Sequence, residues 1–199
     1  MKTKIKLCGL SRPQDIASVN ELMPEYIGFV FHKKSRRAVT RDQAAELKSL
    51  LRPEIKAVGV FVDAEVSQVA GLLKEGIIDL AQLHGHEDDG WIARFREKSE
   101  GKLIQAFRIA SAEDVLAAEK SAADYILLDN GSGTGQAFDW SLIRGIRRPY
   151  FLAGGLSPDN VKEAVTLLRP YAVDVSSGIE TGGFKDPVKM KQFILNSRS

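Results

Sequence analysis

The sequence predicts a closed, parallel, eight-stranded (β/α)8 barrel of the TIM-barrel class, and three observations carry that prediction. Eight short runs rich in β-branched and aromatic residues alternate with longer helical patterns, at a spacing of roughly 20–25 residues. Helix-start signals stand in the gaps between the runs. No run carries the marks of a protected sheet edge, so a sheet of eight strands is better closed than left open.

The runs are residues 5–8, 26–31, 57–62, 79–83, 103–107, 125–129, 150–153 and 172–176. After the first, Ser11 and Arg12 precede Pro13, Gln14 and Asp15, with proline in the first turn and an acid behind it. After the second, Thr40 stands three residues before Gln43, the spacing of a capping box. Ser111-Ala-Glu-Asp and Ser157-Pro-Asp-Asn repeat the signal. Behind Ser157, the residues Val161, Ala164, Val165 and Leu168 recur at helical spacing and offer one apolar face to a sheet. Eight strands and eight helices are expected. A Gly-x-Gly-x-x-Gly signature does not follow the first strand, which weakens a dinucleotide-binding reading.

Composition narrows the class. The 199 residues suit one barrel domain spanning 1–199. The apolar share of 44% and the charged share of 27% are those of an ordinary globular protein. A net charge of +2 is too near balance for a nucleic-acid or membrane-surface binder. The chain has one cysteine, Cys8, so no internal disulfide forms, which fits a reducing compartment. No apolar stretch approaches the roughly 18 residues of a membrane span, and no signal-peptide core follows the N-terminus. The expectation is a cytoplasmic protein, monomeric, with a small-molecule partner and neither nucleic acid nor membrane.

In a β/α barrel the chemistry sits at the C-terminal ends of the strands. That places Cys8, Arg36, Arg37, His84, Asp129, Gly154, Gly155, Ser176, Ser177 and Gly178 at one end. Gly154 and Gly155 let an anion approach backbone amides, Ser176, Ser177 and Gly178 add hydroxyls and further amides, and the Gly131-Ser132-Gly133-Thr134-Gly135 loop could close over them. Any one glycine pair would be an ordinary turn. Three clusters in successive loops at one end point to a phosphate.

On the first strand, alternation sends Ile5 and Leu7 outward and Lys6 and Cys8 into the barrel. A buried lysine needs a partner, for which Asp129 and Asp174 are candidates. Its ammonium is expected to lower the Cys8 pKa toward the working pH and favour the thiolate. Asp174 doubles as a structural partner and a substrate contact, and His84 reads as a polar strand-end residue at the same mouth. His32, His84, His86 and Cys8 lack metal-ligand spacing, so no metal and no cofactor are expected. An acid, a base and a phosphate grip suit proton-transfer isomerisation of a sugar phosphate.

These residues belong to longer motifs: Lys6-Leu7-Cys8-Gly9, Ser35-Arg36-Arg37, Gln82-Leu83-His84-Gly85, Leu127-Leu128-Asp129, Gly133-Thr134-Gly135, Phe138-Asp139-Trp140, Ala153-Gly154-Gly155-Leu156 and Asp174-Val175-Ser176-Ser177-Gly178-Ile179-Glu180. In order and over essentially the whole chain, they resemble the phosphoribosylanthranilate isomerases of tryptophan biosynthesis. The resemblance implies an Amadori rearrangement with the residue matching Cys8 as general base and that matching Asp129 as general acid. It further implies that Arg37 holds the anthranilate carboxylate while Arg36 is a solvated loop residue, and it supports the phosphate site. Two loops depart from the pattern, at His86-Glu87 and at the basic His32-Lys33-Lys34. The alternatives are another phosphate-binding barrel, such as an indole-glycerol phosphate synthase or a pentose-phosphate epimerase, and a barrel that binds a phosphorylated ligand without turning it over.

Overall fold

The computed structural model describes residues 2–129 and 140–199. Eight parallel strands close into a barrel in chain order: β1 (Lys4–Cys8), β2 (Tyr26–Val30), β3 (Lys56–Phe61), β4 (Leu80–Leu83), β5 (Lys102–Arg108), β6 (Tyr125–Asp129), β7 (Tyr150–Leu152) and β8 (Ala172–Val175). Each expected strand is present, with its ends within two residues of those read from the sequence. The helices α1 (Pro13–Leu22), α2 (Arg41–Ser49), α3 (Val66–Lys74), α4 (Asp89–Arg96), α5 (Ala112–Glu119) and α6 (Val161–Leu168) lie between them, and α7 (Pro187–Arg198) closes the chain. Between β8 and α7 a two-stranded hairpin forms from β9 (Glu180–Thr181) and β10 (Phe184–Lys185).

The expected count of eight helices is not met among the described residues. Before β7 there is only a 3-10 turn, Trp140–Ile143. Gly145 and Pro149 interrupt the short stretch that follows, leaving no room for an α-helix of ordinary length.

Caps behave largely as the sequence implies. Thr40 and Gln43 form a reciprocal capping box, as do Ser111 and Asp114. At α1 the cap shifts by one residue, because Asp15 accepts from the amides of both Ser11 and Arg12 and from the Arg12 guanidinium. At α6 the helix starts only at Val161. Residues Ser157–Asn160 form a turn instead, in which Asn160 accepts from the Ser157 amide and donates to the Gly155 carbonyl. That turn ties the loop after β7 to the start of α6.

Two apolar layers follow from strand alternation. Ile5, Leu7, Ile27, Phe29, Ile126 and Val173 pack outward against the helices. Tyr26, Val58, Leu80, Ile104, Leu127 and Phe151 fill the barrel interior. Lys6, Gln82 and Asp174 break this pattern, being polar yet buried, and all three lie toward the end where the strands finish.

Candidate active site

Parallel register decides which side chains meet at that end. The β1–β8 pairing sets Lys6 opposite Asp174, and Lys6 Nζ lies 2.8 Å from Asp174 Oδ2. Of the two carboxylates expected as partners, the lysine takes Asp174. The β1–β2 pairing sets Cys8 opposite Gly28, where a Cβ would stand 2.6 Å from the cysteine sulfur. Glycine at 28 makes the room that the Cys8 side chain occupies.

The Lys6 ammonium also interacts electrostatically with Cys8. Burial alone would lower the Lys6 pKa, but Asp174 and Cys8 outweigh it and hold the ammonium above its usual value. The Cys8 thiol is corrected from the sequence expectation. Burial pushes its pKa up, and although Lys6 pulls it down, the charge of Asp174 beside the lysine works against that pull.

A cavity of about 340 Å³ opens above these residues, a size that suits a small ligand. Going round the barrel, its wall is built by Asp129 from the end of β6, Gly154 and Gly155 after β7, and Asp174, Ser176 and Ser177 from β8 and its loop. Cys8 from β1, Arg37 and His32 from the β2 loop, and Gln82 and His84 from β4 complete it. Val30, Val60 and Val62 make its apolar side.

Gly154 and Gly155 have φ of 86° and 67°. Glycine adopts this left-handed region freely, and without Cβ atoms the backbone amides there are open to an approaching anion. Ser176 precedes a 3-10 turn at Ser177–Ile179 and donates to the Cys8 carbonyl, so the β8 loop is tied to β1. Gly178 does not line the cavity. A Cβ there would meet the Leu156 carbonyl oxygen at 2.0 Å, so this glycine serves the close packing of the β7 and β8 loops. Gly133 and Gly135, with the rest of the glycine loop after β6, lie outside the described residues.

His84 is held between Gln82 and Asp129. Its Nδ1 lies 3.0 Å from Gln82 Nε2, and its Nε2 lies 3.9 Å from Asp129 Oδ2. Gln82 Oε1 and Asp174 Oδ1 are both buried without a hydrogen-bond partner among the described residues. Two such acceptors on the wall of one cavity mark where ligand donors fit.

Arg37 does not stand alone. Its Nε and Nη2 hold both oxygens of Glu180, at 2.6 and 2.9 Å. Arg36 is 60% exposed, as a solvated loop residue would be, and it also reaches the same carboxylate. A third cation, Lys185, approaches Glu180 from below at 2.7 Å. Gln82, Glu180 and Lys185 are the residues that reading strand ends missed. Glu180 was within sight, as the last residue of the Asp-Val-Ser-Ser-Gly-x-Glu motif, and Gln82 as the inward neighbour of Leu80 on β4.

The family model described as N-(5'phosphoribosyl)anthranilate (PRA) isomerase matches residues 5–196 of this chain. The chain belongs to that family. Among N-(5'-phosphoribosyl)anthranilate isomerases, it is 41% identical to the one from Endomicrobium trichonymphae and 43% identical to the one from Caldanaerobacter subterraneus, in both cases over 98% of each chain. The crystal structure of the phosphoribosyl anthranilate isomerase from Thermotoga maritima superposes with a TM-score of 0.90 at 34% identity, covering 98% of both chains. A structure of a phosphoribosyl anthranilate isomerase in complex with reduced 1-(o-carboxyphenylamino)-1-deoxyribulose 5-phosphate superposes at 0.87, again at 34% identity and 98% of both chains. Isomerase chemistry on a (β/α)8 barrel is therefore the setting in which each side chain of the cavity is to be understood.

Proposed function

We propose that this cavity carries out the Amadori rearrangement of N-(5-phosphoribosyl)anthranilate to 1-(2-carboxyphenylamino)-1-deoxyribulose 5-phosphate, with Cys8 as general base and Asp129 as general acid. The observation that carries the residue roles is that one cavity gathers Cys8, Asp129, Arg37 and the two left-handed glycines, each from a different strand end.

In this reading the phosphate rests against the Gly154–Gly155 amides and the Ser176–Ser177 turn. Arg37 meets the anthranilate carboxylate, since a guanidinium already gripped by Glu180 along one edge presents its other edge to a second carboxylate. Asp174 Oδ1 and Gln82 Oε1 accept from ribose hydroxyls. Asp129, oriented by His84, gives its proton to the ribose ring oxygen. The C1–O bond breaks as the anilino nitrogen lone pair forms a C1–N double bond, leaving a cationic Schiff base. Cys8 as thiolate then takes the C2 proton, and the C2–H electron pair forms the C1–C2 double bond and neutralises the nitrogen. The resulting enolamine gains a proton at C1 from the Cys8 thiol and passes its C2 hydroxyl proton through solvent to Asp129, which gives the ketone and returns both catalytic groups to their starting states.

The reactive form thus carries a proton on Asp129 and none on Cys8. Burial disfavours the thiolate. The nearby Lys6 ammonium and the positive charge that develops at C1 and nitrogen both favour it at the moment of proton abstraction.

The closed barrel, with β8 returning to β1, supports reading the chain as a single domain. Among the described residues no helix is long and apolar enough to cross a membrane. We read the protein as a cytoplasmic monomer on its single cysteine and near-neutral charge. A solved relative from Thermotoga maritima is described as dimeric, so light scattering of the purified protein tests the monomer directly.

The decisive assay follows the fluorescence of freshly made phosphoribosylanthranilate with purified protein. Wild type should speed its loss and yield the ketone. Cys8→Ala and Asp129→Asn should each lose about 10²–10⁴ in kcat while still binding a reduced product analogue. Wild-type turnover in either variant removes that residue from its role.

A further inference from the structure

The mechanism leaves one buried cation unused. The Lys185 side chain is 2% exposed, and its ammonium has three acceptors: Glu180 Oε1 at 2.7 Å, the Ser176 carbonyl at 2.8 Å and Ser176 Oγ at 3.2 Å. Its place is fixed by the β9–β10 hairpin, whose register sets Lys185 directly opposite Glu180. The turn is Gly182–Gly183, with φ of 59° and 87°, the pair of left-handed residues that a two-residue hairpin requires. The hairpin is anchored in turn, because the Asp186 amide donates to the Ile179 carbonyl and the Asp186 side chain caps α7.

The two groups that Lys185 holds serve different parts of the proposed site. Glu180 grips Arg37, on the side of the substrate carboxylate. Ser176 belongs to the turn on the side of the phosphate, and its hydroxyl also donates to the carbonyl of Cys8. One ammonium therefore links the carboxylate grip to the phosphate grip and to the strand that carries the base. The cluster holds three cations around one carboxylate. Burial would raise the Glu180 pKa, but the hydrogen bonds from Arg37 and Lys185 outweigh it and hold it low. Lys185 is pushed below its usual value by burial, with Arg37 adding repulsion. A surplus of positive charge next to the cavity is answered when a ligand with two anionic ends arrives.

We propose that Lys185 is a positioning residue that, through Glu180 and Ser176, sets the separation between the Arg37 carboxylate grip and the phosphate loop, so that the enzyme selects ligands by the spacing of their two anionic ends. This rests on the assignment of Arg37 to the anthranilate carboxylate. Lys185 touches neither end of the ligand, yet its removal weakens recognition of both.

The test is a cycle between the protein and the ligand. Three stable ligands are compared by calorimetry: reduced carboxyphenylamino-deoxyribulose phosphate, the same compound with phenyl in place of carboxyphenyl, and the carboxylated compound without its phosphate. Wild type should bind the carboxylated ligand more tightly. In Lys185→Met that preference should shrink about tenfold, the scale of one charge-assisted contact, and the preference for phosphorylated over unphosphorylated ligand should shrink in the same variant. A merely structural loss would weaken all the ligands alike and leave both preferences intact. The pair variant Glu180→Gln/Lys185→Met removes the buried carboxylate together with its buried cation, leaves only the part-exposed Arg36 and Arg37 without that partner, keeps the test available if the single variant unfolds, and should show the same loss of carboxylate preference. A preference lost in Arg37→Met but intact in both Lys185 variants overturns the proposal and leaves the Arg37 assignment standing. Equal binding of the carboxylated and phenyl ligands by wild type overturns that assignment, and the proposal with it.

Discussion

Lys4 and Lys6 stand two residues apart on the same face of β1, and the barrel treats them in opposite ways. Lys4 enters at the end where the strands begin. Its ammonium donates to the Tyr171 hydroxyl at 2.7 Å and lies 4.5 Å from the centre of that ring. Tyr26, Tyr125 and Phe151 surround Tyr171, with Tyr125 stacked on it at 5.1 Å and the Tyr26 and Tyr171 hydroxyls 3.0 Å apart. Lys6, one layer higher, is fully buried and meets a carboxylate and a thiol. The bottom of the barrel answers a cation with neutral rings and phenols, at the margin of solvent. The top answers it with an anion, in a site where water is scarce and charge acts strongly. The same residue type on the same strand is a packing element at one end and an electrostatic element at the other.

The largest effect should come from breaking the upper pair. Lys6→Met leaves Asp174 as a buried carboxylate without its cation, which costs about 3–5 kcal/mol of stability. Denaturant unfolding reads this directly, and an unchanged midpoint would place solvent or another cation at Asp174. The stability that Lys6 contributes also has a pH window. Its folded pKa lies above 10.5, so the contribution is complete below that value and is lost only as the pH rises through the folded pKa.

A smaller effect concerns Cys8 and sharpens the comparison. Because burial raises its pKa, alkylation by iodoacetamide should speed up about tenfold per pH unit from neutrality and reach no plateau below the usual thiol range. In Lys6→Met the reaction should be slower at each pH, since one group that favours the thiolate is gone. In Lys4→Met it should match wild type. A plateau near neutral pH would mean that Lys6 overcomes burial after all.

The smallest effect belongs to the lower lysine. Lys4→Met should cost no more than about 1 kcal/mol and leave kcat/KM unchanged. It should still leave a signature in an ultraviolet titration of the tyrosines. Burial would raise the Tyr171 pKa, but hydrogen bonds to Lys4, Tyr26 and Tyr125 together outweigh it and draw it below its ordinary value, while the Tyr171 hydrogen bond and burial push Tyr125 up to about 12. Losing Lys4 should move the first tyrosine ionisation to higher pH. A drop in turnover comparable to that of Lys6→Met would erase the distinction between the two ends.

The strands were legible in the sequence because each is a local pattern. Alternation told Ile5 and Leu7 from Lys6 and Cys8, and the rule that chemistry sits at strand C-termini then named most of the cavity wall. Capping was legible where it is local, as at Thr40–Gln43, and slipped at Ser157, where Asn160 takes a tertiary bond to the Gly155 carbonyl. The hairpin that aims Lys185 was not seen, since two strands of two residues each are too short to show a period.

By itself the sequence determined the barrel and its chemical end, and it named the residues proposed as acid, base and phosphate grip, since all of these follow from periodicity and from motifs a few residues long. Tertiary structure decided which carboxylate answers Lys6, what already occupies Arg37 and in which direction the Cys8 thiol shifts. Lys6 and Asp174 are 168 residues apart in the chain, and Arg37 and Glu180 are 143 apart. Such pairs exist only once β8 has closed onto β1, and the balance between burial and neighbouring charge that sets the cysteine has no value until that closure has removed the water.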